Sequence, residues 1–203
     1  MLPSSYCLLR TAYCLLSVAV RLGIDLDGVV ADFNAGWIKR YNRDYGSELR
    51  AESVKAWDAI PSLTHFEDMG QFWKWARDHD GHTLFRHLDP YPGAIDALRR
   101  LSRKHKIVII TTKPMWAVHD TFAWIAQHEI PTTEVHIKEA KWTVACDVYL
   151  DDGPHVIESL VRNRPEATVC RFVRPWNRPV PGAIDVTDWG QFGAEVARAA
   201  RAN

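Results

Sequence analysis

The chemistry of this chain concentrates first in Asp25-Leu26-Asp27-Gly28-Val29-Val30, which follows directly on the apolar run Arg21-Leu22-Gly23-Ile24. A carboxylate at the end of a buried strand can attack phosphorus. A second carboxylate two residues on projects to the same side, where it can protonate the leaving oxygen. Gly28 then lets the chain turn sharply without a steric penalty. Taken alone, the stretch also fits a plain turn or part of a calcium loop. A calcium loop wants further acidic ligands at alternate positions and a closing glutamate, which Val29, Ala31 and Phe33 do not provide.

Three further pieces follow in order. Thr111 and Thr112 come after Ile107 to Ile110, where hydroxyls and backbone amides near a helix start can bind phosphate oxygens. Lys141 lies ten residues before Asp151 and can offset the charge of a phosphate and an aspartyl nucleophile. Asp151-Asp152-Gly153-Pro154 ends the apolar run Val148-Tyr149-Leu150 with adjacent carboxylates, a poor choice for stability alone. Two like charges about 4 Å apart repel by roughly 4 kcal/mol at an effective dielectric near 20. Asp25, Asp27, Asp151 and Asp152 in one crevice therefore call for positive charge. A hard divalent cation held by oxygen ligands, Mg2+, meets that need and keeps Asp25 ionised as the nucleophile, with Lys141 adding compensation.

The elements that must position these groups are legible around them. The runs ending at Asp25, Thr111 and Asp151 read as buried parallel strands. Helical patterns lie between: Gly93 to His105 with Ile95, Leu98 and Leu101 on one face, and Trp116 to His128 with Val118, Phe122 and Ile125. A further strand is expected at Thr168 to Val173 and a last helix from about Asp188 to Ala200. The alternation predicts an α/β fold, a doubly wound Rossmann-like parallel sheet in which ligands sit outside the carboxyl ends of the strands. Residues 34–89 lack strand signal but carry Trp37, Tyr41, Tyr45, Trp57, Phe66, Phe72, Trp73, Trp75 and Phe85, and read as a small helical insertion after the first strand. Pro90, Pro92 and Gly93 mark the return to the core, so the core comprises residues 20–33 and 90–203.

A chain of 203 residues holds one well-buried domain plus a modest insertion. Lys plus Arg total 25, as do Asp plus Glu, so no global field exists to hold a nucleic-acid polymer or an anionic membrane; a small molecule is the expected partner. The basic run from Arg99 to Lys106 reads as a solvated helix end. Cys7, Cys14, Cys146 and Cys170 form no zinc-ligand grouping, and two fall in apolar strand-like runs, which suggests reduced thiols and a cytoplasmic location; a Cys7–Cys14 bridge stays open. The nine histidines share no ligand spacing and read as surface or structural. Residues 1–19 include an apolar stretch with a Ser17-Val18-Ala19 sequence like a signal cleavage site, but it is short, interrupted and nearly lacks a positive leader, so it reads as an extension.

The ordered set Asp-x-Asp, Thr, Lys, Asp-Asp, each after an apolar run, resembles the four signature motifs of the haloacid dehalogenase superfamily. Details resemble its 5'(3')-deoxyribonucleotidase branch: DLDGVVADF from Asp25, LDPYPGAIDAL from Leu88, IITTKP from Ile109, Lys141-Trp142-Thr143 and DDGP from Asp151, over roughly Arg21 to Trp189. The resemblance implies that Asp25 forms an aspartyl-phosphate, Asp27 acts as acid and then base, Thr111 binds phosphoryl oxygens and Lys141 steadies them. It implies that Asp25, the main-chain carbonyl of Asp27, and Asp152 hold magnesium, with Asp151 supporting. The insertion would be a cap, and Phe33, Trp57, Trp73 or Trp75 could stack on a nucleobase or simply build the cap's own core. Two departures bear on substrate. The family's Thr-Ser-Pro is Thr111-Thr112-Lys113-Pro114 here, so Thr112 and Lys113 can alter phosphate or sugar contacts, and Glu139 stands near where a basic residue is expected before Lys141. The expected substrate is a nucleoside monophosphate. The alternatives are a sugar phosphate or phosphoglycolate, a dehalogenase substrate, a phospho-receiver domain (whose motif order differs), and a non-catalytic phospho-ligand binder. Base preference, 3'-phosphate use and assembly as a homodimer stay open.

Overall fold

The computed structural model describes residues 18–202, so Cys7, Cys14 and all but the last two residues of the expected extension lie outside the described residues. The core is one six-stranded sheet: β1 (Arg21–Ile24), β2 (Lys106–Thr111), β3 (Val135–Ile137), β4 (Val148–Asp151), β5 (Thr168–Phe172) and β6 (Ile184–Val186). Their spatial order is β3-β2-β1-β4-β5-β6, with every pair parallel. This is the doubly wound α/β sheet that the sequence predicts. β1 pairs with β2 on one side, Ile24 opposite Ile109, and with β4 on the other, Ile24 opposite Leu150. Both faces of these central strands are covered, which is why they run apolar between Arg21 and Asp25 and from Val148 to Leu150 instead of alternating. The edge strands β3 and β6 have three residues each and are half exposed, too short for a periodic signal, and were not anticipated.

Helices α4 (Ala94–Ser102), α5 (Val118–Gln127) and α6 (Pro154–Asn163) precede β2, β3 and β5, and α7 (Trp189–Ala202) follows β6. Gly93, at φ +77°, starts α4, and a single 3-10 turn, Met115–Ala117, precedes α5. The expected inward face of α5 is corrected: Phe122 is 48% exposed, whereas Thr121, Trp124 and Ile125 are buried. Trp124 sets the helix's rotation by donating Nε1 to the Leu88 carbonyl at 2.7 Å. Phe122, two residues away, lies roughly 160° round the helix and faces outward.

Between β1 and α4 the chain forms α1 (Phe33–Tyr45), α2 (Ile60–Leu63) and α3 (Met69–Ala76). Asp32 caps α1 by accepting from the Ala35 amide at 3.0 Å, and Gly46, in the left-handed region, ends it. Trp37, Tyr41, Phe66 and Phe72 pack edge to face, and their cluster is continuous with Leu22 and Ile24 beneath the sheet. No helix among the described residues is long and apolar enough to cross a membrane.

Cys146 and Cys170 are buried free thiols. Burial pushes the Cys146 thiol up to about 11 and the Cys170 thiol up to about 12, so neither carries appreciable thiolate at neutral pH. Neither is expected to react with iodoacetamide in the folded protein at pH 7.5, and both should label in denaturant; peptide mass mapping reads the difference, and native labelling of either would refute their burial.

Candidate active site

The strand order reverses between β1 and β4, so the crevice outside their carboxyl ends is where a doubly wound sheet receives a ligand. The Asp25 amide donates to the Leu150 carbonyl at 3.0 Å, which fastens the residue just past β1 to the end of β4. The chain then turns tightly, with the amides of Val30 and Ala31 both donating to the Leu26 carbonyl at 2.8 Å. Gly28 makes this turn at φ +76°, and a Cβ there would collide with the Asp152 carboxylate. The 3-10 turn Lys141–Thr143 delivers Lys141, whose Nζ lies 2.9 Å from Asp25 Oδ1 and 2.7 Å from Asp151 Oδ2.

One oxygen from each of Asp25, Asp151 and Asp152 falls in a group whose members all lie within 4.8 Å of one another. All three residues are buried, as are Thr111 and Lys141. The oxygens are not equivalent. Asp151 spends one on Lys141 and the other on the Gly153 amide at 2.8 Å. Asp152 accepts from Trp176 Nε1 at 2.7 Å through Oδ2, while its Oδ1 has no partner among the described residues; nor does the buried Thr111 hydroxyl. Burial, then the charges of Asp25 and Asp151, raises the Asp152 carboxyl well above the usual range; burial likewise raises Asp151, against the pull of Lys141. Burial works against the Lys141 ammonium, but Asp151 and Asp25 outweigh it and raise its pKa. Carboxylates destabilised by burial and by one another, with an oxygen of Asp152 left unpartnered, fit a cation of higher charge density than one ammonium supplies.

Lys113 enters the same space. Its side chain is 2% exposed, its Nζ pairs with Asp27 Oδ2, and the ammonium lies 3.8 Å from the centre of the Phe85 ring. Burial lowers the Lys113 pKa, an effect that Asp27 opposes; burial raises the Asp27 carboxyl, which Lys113 opposes and Asp25 reinforces.

These groups floor a cavity of about 630 Å³ that Asp25, Asp27, Thr111, Thr112, Lys113, Lys141, Asp151 and Asp152 all line. Phe33, Trp57 and Trp73 line it too. Thr112 is turned partly aside, its hydroxyl donating to the Lys138 carbonyl at 3.1 Å. Trp75 is a correction, since it does not line the cavity. Phe72 and Ala76 fix the buried face of α3, and Trp73 and Trp75, two residues apart, point to opposite sides. Trp75 instead lies 4.2 Å from the Arg40 guanidinium and donates Nε1 to Asp44 at 3.0 Å. Phe85 and Trp116 complete the aromatic wall: Trp73 stacks on Phe85 at 6.1 Å and 19°, and Trp116 is 6.0 Å from Phe85. The sequence places Phe85 among the aromatics of the insertion and Trp116 at a helix start but assigns neither to the site, and it does not single out Trp176. The loop holding Trp176 follows β5, so the same strand-end rule that located Asp25 pointed to it. A second hollow, of about 410 Å³ and lined by His82, Arg86, His87 and His128, shares no residue with this cavity.

A parallel sheet of this order with an acidic strand-end cluster is the architecture of haloacid dehalogenase-type hydrolases. A hydrolase of that type from Bacillus subtilis, solved bound to magnesium, superposes with a TM-score of 0.59 over 88% of this chain and 99% of its own, at 12% identity. One from Deinococcus radiodurans, solved with bound phosphate and sodium, gives 0.54 over 91% and 98%, at 15% identity. These likenesses carry the fold. More narrowly, the family model for the 5' nucleotidase, deoxy (pyrimidine), cytosolic type C proteins matches residues 18–201, and the chain belongs to that family. The 5'(3')-deoxyribonucleotidase of Bacillus subtilis is 25% identical over 84% of this chain and 95% of its own. The cytosolic-type human 5'(3')-deoxyribonucleotidase is 28% identical over 66% and 71%.

Replacing Gly28 by alanine places a side chain in the left-handed region, at a cost of about 1–2 kcal/mol, and drives it into Asp152. Urea unfolding is expected to show that loss. A variant as stable as the wild type would contradict the packing of this turn.

Proposed function

We propose that this protein hydrolyses nucleoside monophosphates, deoxyribonucleotides foremost, with Asp25 as nucleophile. The observation that carries the reading is one cavity in which a buried carboxylate cluster with Lys141 and Thr111 adjoins an aromatic wall of Phe33, Trp73, Phe85 and Trp116. The first half suits a phosphoryl group and the second suits a planar base.

Asp25 attacks phosphorus while Asp27 gives a proton to the leaving ester oxygen; the aspartyl-phosphate so formed is then opened by water from which Asp27 takes a proton back. Thr111 donates its unpartnered hydroxyl to a phosphoryl oxygen, and Lys141 holds the nucleophile in place and balances its charge. Magnesium, held by Asp25, the Asp27 main-chain carbonyl and Asp152 with Asp151 supporting, would neutralise charge on the phosphoryl oxygens. Lys113, added relative to the family's Thr-Ser-Pro, restrains Asp27 and adds a second cation beside the phosphate. Thr112 and Lys113 contact the substrate's phosphate or sugar, and Trp57, 52% exposed at the rim, adjusts as residues 34–89 cover the substrate as a cap over a core of residues 20–33 and 90–203. The neutral net charge and the buried thiols support a cytoplasmic enzyme acting on a small molecule.

Phosphate release should be measured on deoxyribo- and ribonucleoside monophosphates beside sugar phosphates and phosphoglycolate, each with magnesium and with chelator. Magnesium-dependent preference for nucleotides is expected; preference for phosphoglycolate or a sugar phosphate would reject the substrate class and leave the phosphatase chemistry. Asp25→Asn keeps the shape and removes the nucleophile, so turnover should fall by about 10⁴-fold or more with the melting temperature retained. Near-wild-type turnover would sink the mechanism. Losing one stacked aromatic is worth about 1–3 kcal/mol per base, so Trp73→Ala should raise KM for nucleotides by roughly 5- to 150-fold and leave phosphoglycolate nearly untouched.

A further inference from the structure

We propose that Trp176 and Asn177, on the loop after β5, are positioning residues that aim Asp152 at the bound cation; the inference rests on the magnesium reading above. Asp151 and Asp152 are adjacent and equally buried, yet they are held in chemically different ways. Asp151 is paired with an ammonium and a backbone amide, which occupies both oxygens. Asp152 has a single side-chain partner, the indole N–H of Trp176, 2.7 Å from Oδ2. An indole N–H donates but can neither accept nor coordinate, and it is neutral. It therefore fixes the carboxylate's rotation without cancelling its charge, and leaves Oδ1 unpartnered on a residue that shares the acidic group with Asp25 and Asp151.

Asn177 holds the backbone behind this contact. Its Nδ2 donates to the carbonyls of Asp152 at 2.8 Å and Phe172 at 2.9 Å. Its Oδ1 accepts from Arg171 Nη1 at 2.6 Å and from the Arg174 amide at 3.0 Å. Arg171, 3% exposed in β5, is braced in turn by Asp185 of β6 at 2.7 Å. Arg174 ties the loop to the opposite wall by donating to the Gly28 carbonyl at 2.7 Å. The loop, the edge strand and the turn after Asp27 thus converge on the orientation of one carboxylate.

Trp176→Phe removes the N–H and keeps an aromatic ring. Partners behind a metal ligand typically contribute 10- to 100-fold in affinity. Calorimetric titration of the full chain with Mg2+ should show a loss of that size, with thermal melting followed in parallel, and the deficit in turnover should shrink as magnesium is raised. Trp176→His, which keeps a ring N–H, should recover part of the affinity, which a purely structural role would not produce. Asn177→Ala is the second variant and should weaken Mg2+ in the same direction. Wild-type Mg2+ affinity in Trp176→Phe and Asn177→Ala would overturn the positioning role alone; absence of Mg2+ binding by the wild type would overturn the magnesium reading and this inference together.

Discussion

Four carboxylates crowd the carboxyl ends of β1 and β4, and their mutual repulsion is the constraint around which the molecule is organised. Asp25, Asp151 and Asp152 are buried together, with Asp27 beside them. At separations near 4 Å each unscreened pair costs roughly 4 kcal/mol at an effective dielectric near 20, comparable to a large part of a domain's whole stability. Only a fold that supplies much apolar burial elsewhere can carry this. The continuous core from Leu22 and Ile24 through Trp37 and Phe72 supplies it.

The response to that repulsion is a division of labour among similar side chains. Lys141 reaches two aspartates at once, and its own charge is held in place by them. Lys113 pairs with Asp27 alone from the neighbouring strand end, supported by the face of Phe85. Asp151 is fully engaged within the protein, whereas Asp152 and Thr111 keep an unpartnered oxygen each. Groups that hold the site together are thus distinct from groups left free to meet a ligand, although adjacent residues serve both ends.

Much of this was legible in the sequence wherever burial and charge met at a strand end. Asp25, Thr111 and Asp151 each close an apolar run, and that abrupt change marks both a parallel strand and its functional end. The legibility failed where position depends on rotation or on tertiary support. Trp73 and Trp75 look alike in sequence, and only the packing of Phe72 and Ala76 decides which faces the cavity. Phe122 fits a helical stripe that the Trp124 hydrogen bond turns away from the core. Strands β3 and β6 exist because a neighbour offers them hydrogen bonds, which three residues of sequence cannot announce. Trp176 and Asn177 were missed because their ring and amide act through a loop whose shape is fixed by Arg171 and Arg174.

The place of β1 in the sheet also bears on how the protein comes into being. Its two neighbours, β2 and β4, are distant in the chain: Leu22 lies beside Ile107 on one side and Val148 on the other. During synthesis the strand that leads into Asp25 emerges well before either neighbour, and the lysine and aspartates that surround Asp25 come later still. Contacts of such long sequence separation form slowly. An incompletely made chain would therefore display an apolar strand with both edges open, an invitation to pair with other chains, so a nascent-chain chaperone has more to shield here than the modest size of the protein suggests.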